Sequence, residues 1–353
     1  MDIKSSVFTY KLEFTDNFES DLEKKYKDGD FIIADREVIN LFSNKILTST
    51  RKDRIIEVSA TEEQKSYIQI APIIEQLIEK DFRKNNKLIA LGGGITQDIT
   101  AFIASIMYRG VDWLFFPTTL LAQCDSCIGS KTSINFGKYK NQIGNFYPPK
   151  EIFIDANFLK TLEEKDIASG MGEMAHYFIV SSENDFQRFK SDYLNAKSNY
   201  NILKELIIHS LEIKKAYIEI DEFDKKERQL FNYGHSFGHA IESLTNYKIP
   251  HGVAVSIGMD ISNFISTKFN YLDKSKRNEM RSLLEQIWWG YDIKNINLAD
   301  FEDALKKDKK NEGDLIGLIL SKGPGQTFKV LIKLDIKFSN LLKEYFASEF
   351  KGR

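Results

Sequence analysis

Two histidines four residues apart, His235 and His239 in FNYGHSFGHAIE (231–242), belong to a chain that has only five. Metal ligation needs neutral imidazole nitrogens held in a fixed cluster, and helical spacing supplies one. On a helix Asn232, His235 and His239 fall at i, i+3 and i+7 and share a face. A third histidine, His251 in KIPHGVAVSIGM, opens the next helical stretch, and Glu173 in SGMGEMAH is a carboxylate able to complete a ligand set. The rival reading is helix caps and core histidines. Three of five histidines crowding into 17 residues weakens that rival, and spacing alone leaves the two readings about evenly matched. The glutamate of HExxH is missing, so this is no metalloprotease signal. His209, in LIIHSLEI, has helical neighbours and no partner, and reads as structural.

A second candidate is GGG at 92–94, between a strand-like and a helix-like run. Glycines there let the backbone approach a diphosphate at a helix N-terminus. The spacing is not GxGxxG, and a tight turn without a ligand is equally compatible. Asp98 could accept a hydrogen bond from a nucleotide or simply lie in the first helical turn. Residues 120–150, LLAQCDSCIGSKTSINFGKYKNQIGNFYPPK, read as a long functional loop. Lys131, Lys138, Lys140, Asn135 and Asn141 in it could form an anion pocket. Cys124 and Cys127 form a lone CxxC with no second pair, which excludes a zinc ribbon and a disulfide framework.

These residues need elements to hold them. FIIADREV (31–38), KLIALGGG (87–94) and VDWLFFPTT (111–119) read as buried strands. EEQKSYIQIAPIIEQLIEK (62–80) reads as a helix with an apolar face of Ile68, Ile70, Ile73, Ile74, Leu77 and Ile78, and ITAFIASIMYRG as a helix closed by Gly110. Such alternation implies a parallel, doubly wound α/β domain. Long amphipathic stretches follow residue 163 and imply a mostly helical second domain, so the expected division is 1–162 and 163–353. Residues 315–334 read as a small hairpin or part helix. The 353 residues suit two cores, with 42% apolar and 28% charged residues and a net charge of -2. That balance gives nucleic acid and anionic membranes no basic footprint. MDIKSSVFTYKLEF lacks the apolar core of a signal peptide, and no run is long enough to span a bilayer, so a cytoplasmic protein is expected.

Taken together, GGGITQD, YRGVDWLFFPTTLLAQCDSCIGSKTSINFGKYKNQIGNFYPPK, FLKTL, SGMGEMAHY, RQLFNYGHSFGHAIE and HGVAVSIGM, in this order, resemble 3-dehydroquinate synthase and the wider sugar-phosphate cyclases over roughly residues 30–262. The resemblance implies an NAD-binding α/β domain, a helical metal-binding domain, zinc (cobalt as a substitute) and a homodimer. Metal ligands would be Glu173, His235 and His251, leaving His239 and Asn232 to the substrate phosphate region. Asp125, Lys131, Lys140, Asn141, Lys215 and Arg228 match substrate-pocket positions. Arg109 matches an arginine reaching the neighbouring subunit's substrate, and Lys310 a further substrate lysine with shifted spacing. Asp35, Glu62, Lys65, Gly93, Gly94, Asp98, Thr118, Thr119 and Thr161 match NAD contacts, to which Lys131 and Lys140 add. Two departures stand out: His176 replaces a lysine three residues after the glutamate and is expected to line the pocket, and Ser130 replaces a glycine. The implied reaction turns 3-deoxy-arabino-heptulosonate 7-phosphate into 3-dehydroquinate and phosphate. The alternatives are a relative acting on another sugar phosphate (forming a cyclitol or an amino analogue) and a metal-dependent polyol or glycerol-phosphate dehydrogenase.

Overall fold

The computed structural model describes residues 1–137, 139–307, 311 and 313–349. The chain divides into two compact units, Met1–Leu162 with Lys214–Phe223, and Glu163–Ile213 with Asp224–Arg353.

The first unit is built on a seven-stranded sheet. Its strands are β1 (Asp2–Ile3), β2 (Tyr10–Thr15), β3 (Phe31–Asp35), β4 (Ile55–Val58), β5 (Leu88–Gly92), β6 (Trp113–Pro117) and β9 (Glu151–Asp155), in the order β1-β2-β9-β6-β5-β3-β4. Every pairing is parallel except that of the short edge strand β1 with β2. All residues of β5 and β6 are buried, which is why both read as unbroken apolar runs. Helices α1 (Phe18–Lys25), α2 (Arg36–Ser49), α3 (Tyr67–Glu79) and α4 (Gly94–Ile106) complete the unit. Phe18, Ile32, Ile89, Leu114, Phe116 and Phe153 share one of its apolar cores. After β3 the chain moves outward to β4 and then returns to place β5 on β3's other side. This reversal is the switch point where parallel sheets bind ligands, beyond the carboxyl ends of the strands; Asp35 and Gly92 are those ends.

Two expectations need correction here. The helix of 62–80 starts only at Tyr67, because Glu62–Lys65 form a turn, with Lys65 N–H on the Thr61 carbonyl. Its core face is Ile70, Ile73 and Leu77, while Ile68 (76%) and Ile78 (58%) are exposed. Residues 120–150 are not a loop throughout. Ala122–Ser126 wind into a single wide helical turn, and β7 (Lys131–Phe136) pairs antiparallel with β8 (Tyr139–Phe146). Lys138 lies outside the described residues.

In the second unit α5 (Glu164–Ser181), α6 (Glu183–Ala196), α7 (Tyr200–Ile220), α8 (His235–Leu244), α9 (His251–Lys268) and α10 (Lys274–Ile287) follow one another, with the last turns of α7 belonging to the first unit. Helices α11 (Leu298–Lys306) and α12 (Ile336–Glu344) flank the hairpin of β10 (Leu315–Ser321) and β11 (Thr327–Lys333). Helix α9 is the centre: Gly252–Ser266 are all buried, and α5, α8 and α10 pack on it. A helix apolar all round belongs in that position. Gly172 of α5 and Gly252 of α9 face each other's backbones. A Cβ on Gly252 would lie 2.8 Å from the Ser169 carbonyl carbon and 3.0 Å from the Glu173 nitrogen. Only a residue without a Cβ permits that approach.

Candidate functional site

In the first unit the glycine turn delivers Gly93 to the N-cap of α4, where no side chain caps the helix. A helix end of this kind favours an incoming anion. A Cβ on Gly93 would lie 2.8 Å from Thr119 Cγ2, whereas one on Gly94 would make only ordinary contact with Ser126. Asp35 caps α2 through the Glu37 N–H at 3.1 Å, and burial raises its carboxyl pKa. Thr118 is buried, with its N–H on the Gly92 carbonyl, and Thr119 Oγ1 accepts from the Ala122 N–H. Thr161, in the turn after β9, donates its hydroxyl to the Phe158 carbonyl.

Beside this turn, residues distant in sequence form one network. Lys65, only 5% exposed, donates to Asp98 Oδ2 at 3.0 Å and to Asn141 Oδ1 at 2.9 Å. Asp98 also accepts from the Ser133 N–H at 3.0 Å. Asn135 Nδ2 donates to Glu62 Oε2 at 2.9 Å, and Lys140 Nζ stands 3.3 Å from Glu62 Oε1. Burial raises the Asp98 carboxyl despite Lys65. Burial also acts to raise Glu62, but Lys65, Asn135 and Lys140 outweigh it and hold that carboxyl low. The network thus gathers five of the residues matched to NAD or substrate: Glu62, Lys65, Asp98, Lys140 and Asn141. Lys131, at the start of β7, is exposed. Arg109 is exposed too, in a left-handed run of Tyr108 (φ 51°), Arg109 (φ 65°) and Gly110 (φ 112°).

Asp125 receives Lys214 Nζ, at 2.6 Å on Oδ1 and 2.7 Å on its carbonyl. Lys214 is buried, whereas Lys215 has turned to Glu219 at 3.9 Å. The lysine paired with Asp125 is therefore Lys214, the neighbour of the Lys215 expected in the substrate pocket. A helix separates neighbouring residues by about 100°, so both cannot serve the same side. Cys124 and Cys127 are buried and unbridged, and burial pushes the Cys127 thiol up to about 12.

In the second unit α5, α8 and α9 bring Glu173, His235 and His251 together, their ligand atoms all within 4.8 Å of one another. His235 Nε2 is 3.6 Å from Glu173 Oε1, and His251 Nε2 is 3.6 Å from Oε2. Donors about 2.0–2.2 Å from one tetrahedral zinc sit roughly 3.3–3.6 Å apart, so the set fits that ion. The proton positions fit as well. His235 Nδ1 faces the Tyr233 carbonyl at 3.2 Å and His251 Nδ1 faces Glu242 Oε2 at 2.9 Å. A carbonyl only accepts, so Nδ1 of His235 carries the proton and Nε2 keeps its lone pair for a metal.

His239 lies one turn beyond His235, its ring 5.6 Å away, and is exposed and outside the Glu173 group. Asn232 is not on this helix. It ends the 3-10 turn Glu227–Asn232 and donates to the Gln229 carbonyl at 3.0 Å. Gly234, left-handed at φ 79°, resets the backbone before α8 begins. Arg228, in the same turn, is 4% exposed. His176 does not line an open pocket. It is 0% exposed, enclosed by the rings of Tyr177, Phe231 and His235, with Nδ1 3.6 Å from Glu173 Oε1. His209 has partners after all: its Nε2 is 2.7 Å from Asp185, which also accepts from Ser181 and Ser182. Lys310 lies outside the described residues. The sequence reading missed Glu242, although it stands seven residues after His235 and three after His239, on the same helical face.

The family descriptions "3-dehydroquinate synthase N-terminal" and "3-dehydroquinate synthase C-terminal" match residues 55–169 and 170–311. The chain is 37% identical over 346 residues to a 3-dehydroquinate synthase of Campylobacter concisus, covering 97% of both chains. It is 36% identical over 306 residues to one of Alkaliphilus metalliredigens, covering 85% of this chain and 86% of that one. Its fold matches 2-deoxy-scyllo-inosose synthase complexed with carbaglucose-6-phosphate, NAD+ and Co2+ (TM-score 0.85, 23% identity, 98% of each chain). It equally matches 2-epi-5-epi-valiolone synthase from Streptomyces hygroscopicus with NAD+ and Zn2+ bound (TM-score 0.85, 19% identity, 98% of each chain). The family descriptions and the curated relatives carry one conclusion: the chain belongs to the 3-dehydroquinate synthase family.

Proposed function

We propose that this chain is an NAD- and zinc-dependent cyclase that converts 3-deoxy-arabino-heptulosonate 7-phosphate into 3-dehydroquinate and phosphate. The observation that carries the reading is the donor set of Glu173, His235 and His251, with both histidines presenting Nε2 to the carboxylate, in a chain of this family. Zinc held there supplies a Lewis acid for a substrate hydroxyl oxygen, and NAD supplies a hydride acceptor that is restored within each turnover.

The chain's own residues would do the rest. The bare N-terminus of α4 favours the NAD diphosphate, and the Glu62–Lys65–Asp98 network shapes the adjoining wall. Lys214, held by Asp125, brings a cation toward the substrate in place of Lys215. The buried Arg228 guanidinium suits a carboxylate bidentately, while Asn232 and His239 bind the phosphate region. Binding of phosphate and carboxylate holds the substrate in the conformer from which phosphate leaves and the ring recloses. We assign NAD binding to residues 1–162 and metal and substrate binding to 163–353, and propose a cytoplasmic homodimer in which Arg109 reaches the other subunit's substrate.

The second reading, a related cyclase acting on another sugar phosphate, is favoured by His176. Its enclosed ring cannot extend as the family's lysine does. Identifying the carbocycle by NMR after incubation with the heptulosonate phosphate, zinc and NAD tests the choice. Formation of 3-dehydroquinate supports the first reading, and an unconsumed heptulosonate refutes it.

A further inference from the structure

Glu242 has no part in the ligand set, yet it holds one of its members. It lies on α8 seven residues after His235, and its Oε2 is 2.9 Å from His251 Nδ1. An ionised carboxylate only accepts, so Nδ1 carries the proton. The Nε2 lone pair of His251 then points toward Glu173 Oε2, 3.6 Å away. We propose that Glu242 is a positioning residue for the metal centre, fixing the tautomer and ring orientation of His251 and raising the basicity of its Nε2. The inference rests on the reading of Glu173, His235 and His251 as ligands.

A competing role exists. His239, Glu242 and His251 form a second group of donors within 4.8 Å of one another, so Glu242 could itself be a ligand. Distance decides between the two. Two donors on one zinc sit roughly 3.3–3.6 Å apart, whereas the 2.9 Å between Glu242 and His251 is a hydrogen-bond length. A second ion would also strip the Nδ1 proton and leave His251 bridging two cations as an imidazolate. At His235 the Tyr233 carbonyl does the same work at 3.2 Å. One ligand is therefore oriented by backbone and the other by a side chain, and only the second can be altered by mutation.

The test is zinc affinity of the metal-stripped full chain, measured by competition with a chromophoric chelator, for wild type, Glu242→Ala and Glu242→Gln, with Glu173→Ala alongside. Wild type should bind one zinc per chain. Glu242→Ala should raise the Kd about 10–100-fold. Glu242→Gln keeps the shape and an acceptor oxygen without the charge, and should fall between; it carries the test if the alanine variant does not fold. The visible bands of the Co2+-loaded variants should shift, which a merely structural role would not produce. Unchanged Kd in both Glu242 variants, with loss in Glu173→Ala, overturns the positioning role and leaves the ligand set standing. Two zinc ions in wild type, one of them lost in Glu242→Ala, overturns it in favour of a second site. No zinc in wild type overturns the ligand set and this inference with it.

Discussion

Replacing Gly252 with alanine should weaken the metal centre without replacing a ligand. The new Cβ would run into the Ser169 carbonyl oxygen and lie 2.8 Å from the carbonyl carbon, so the carbon contact sets a lower bound on the movement. Carbon atoms need about 3.5 Å, so α5 and α9 must separate by at least about 0.7 Å. Glu173 rides on α5 and His251 opens α9. Taken along the line joining them, that movement lengthens their 3.6 Å donor separation to about 4.3 Å. Two donors at about 2.1 Å span at most about 4.2 Å across one zinc, so at least one bond stretches or is lost. We expect zinc affinity to fall at least about ten-fold. The same overpacking should cost about 1–3 kcal/mol, lowering the melting temperature of the metal-free protein by about 2–12 °C for a unit of this size. Chelator competition and thermal melts read both quantities. A Gly252→Ala chain with wild-type zinc affinity would refute the claim that helix spacing sets ligand spacing.

Three further outcomes are expected. Lys214→Met removes a charge-assisted contact worth about 1.5–3 kcal/mol and should lower turnover at least about ten-fold, whereas Lys215→Met, whose side chain meets only Glu219 at 3.9 Å among the ion pairs described, should stay near wild type; steady-state kinetics on both variants would show the reverse if the register were wrong. With the Cys127 thiol pushed up to about 12, only about one molecule in ten thousand is thiolate at pH 8, so iodoacetamide should label Cys127 only after denaturation, and rapid labelling of the native chain by mass spectrometry would contradict its burial. Glu279 is held down to about 2 by Gln187 and Lys276, below its ordinary value near 4.3. Its contribution is therefore complete above about pH 4.5 and is lost as pH falls toward 2. Glu279→Gln should be less stable than wild type at pH 7 by under about 1 kcal/mol, because the group is partly solvated, and the two should converge in acid denaturation near pH 2.

Much of the fold could be read from the chain because its signals were local. The runs ending in Asp35 and Gly92 are buried on both faces, so nothing interrupts their apolar character, and their terminal residues mark the switch point. The candidate metal ligands were only half visible locally: His235 and His251 each open a helix, but their grouping with Glu173 came from the family resemblance. What stayed hidden depends on phase and on distance. Helical periodicity placed Asn232 with the histidines, but a left-handed Gly234 breaks the phase between them. Lys214 and Lys215 are indistinguishable until Asp125, 89 residues away, selects one. The same holds for Glu62 and Lys140, joined only when the β7–β8 hairpin closes on the turn before α3. Glu242 carried a usable signal, sharing the face of His235 and His239, but its role appears only when His251 arrives from the next helix.

The most direct measurement of the central claim is the ratio of phosphate released to NADH formed on 3-deoxy-arabino-heptulosonate 7-phosphate, with stoichiometric zinc and NAD at a small fraction of the substrate. A cyclase that restores its NAD in every turnover should release phosphate until the substrate is exhausted, with no net NADH. NADH rising in step with substrate loss, without phosphate, would contradict the account and identify a dehydrogenase.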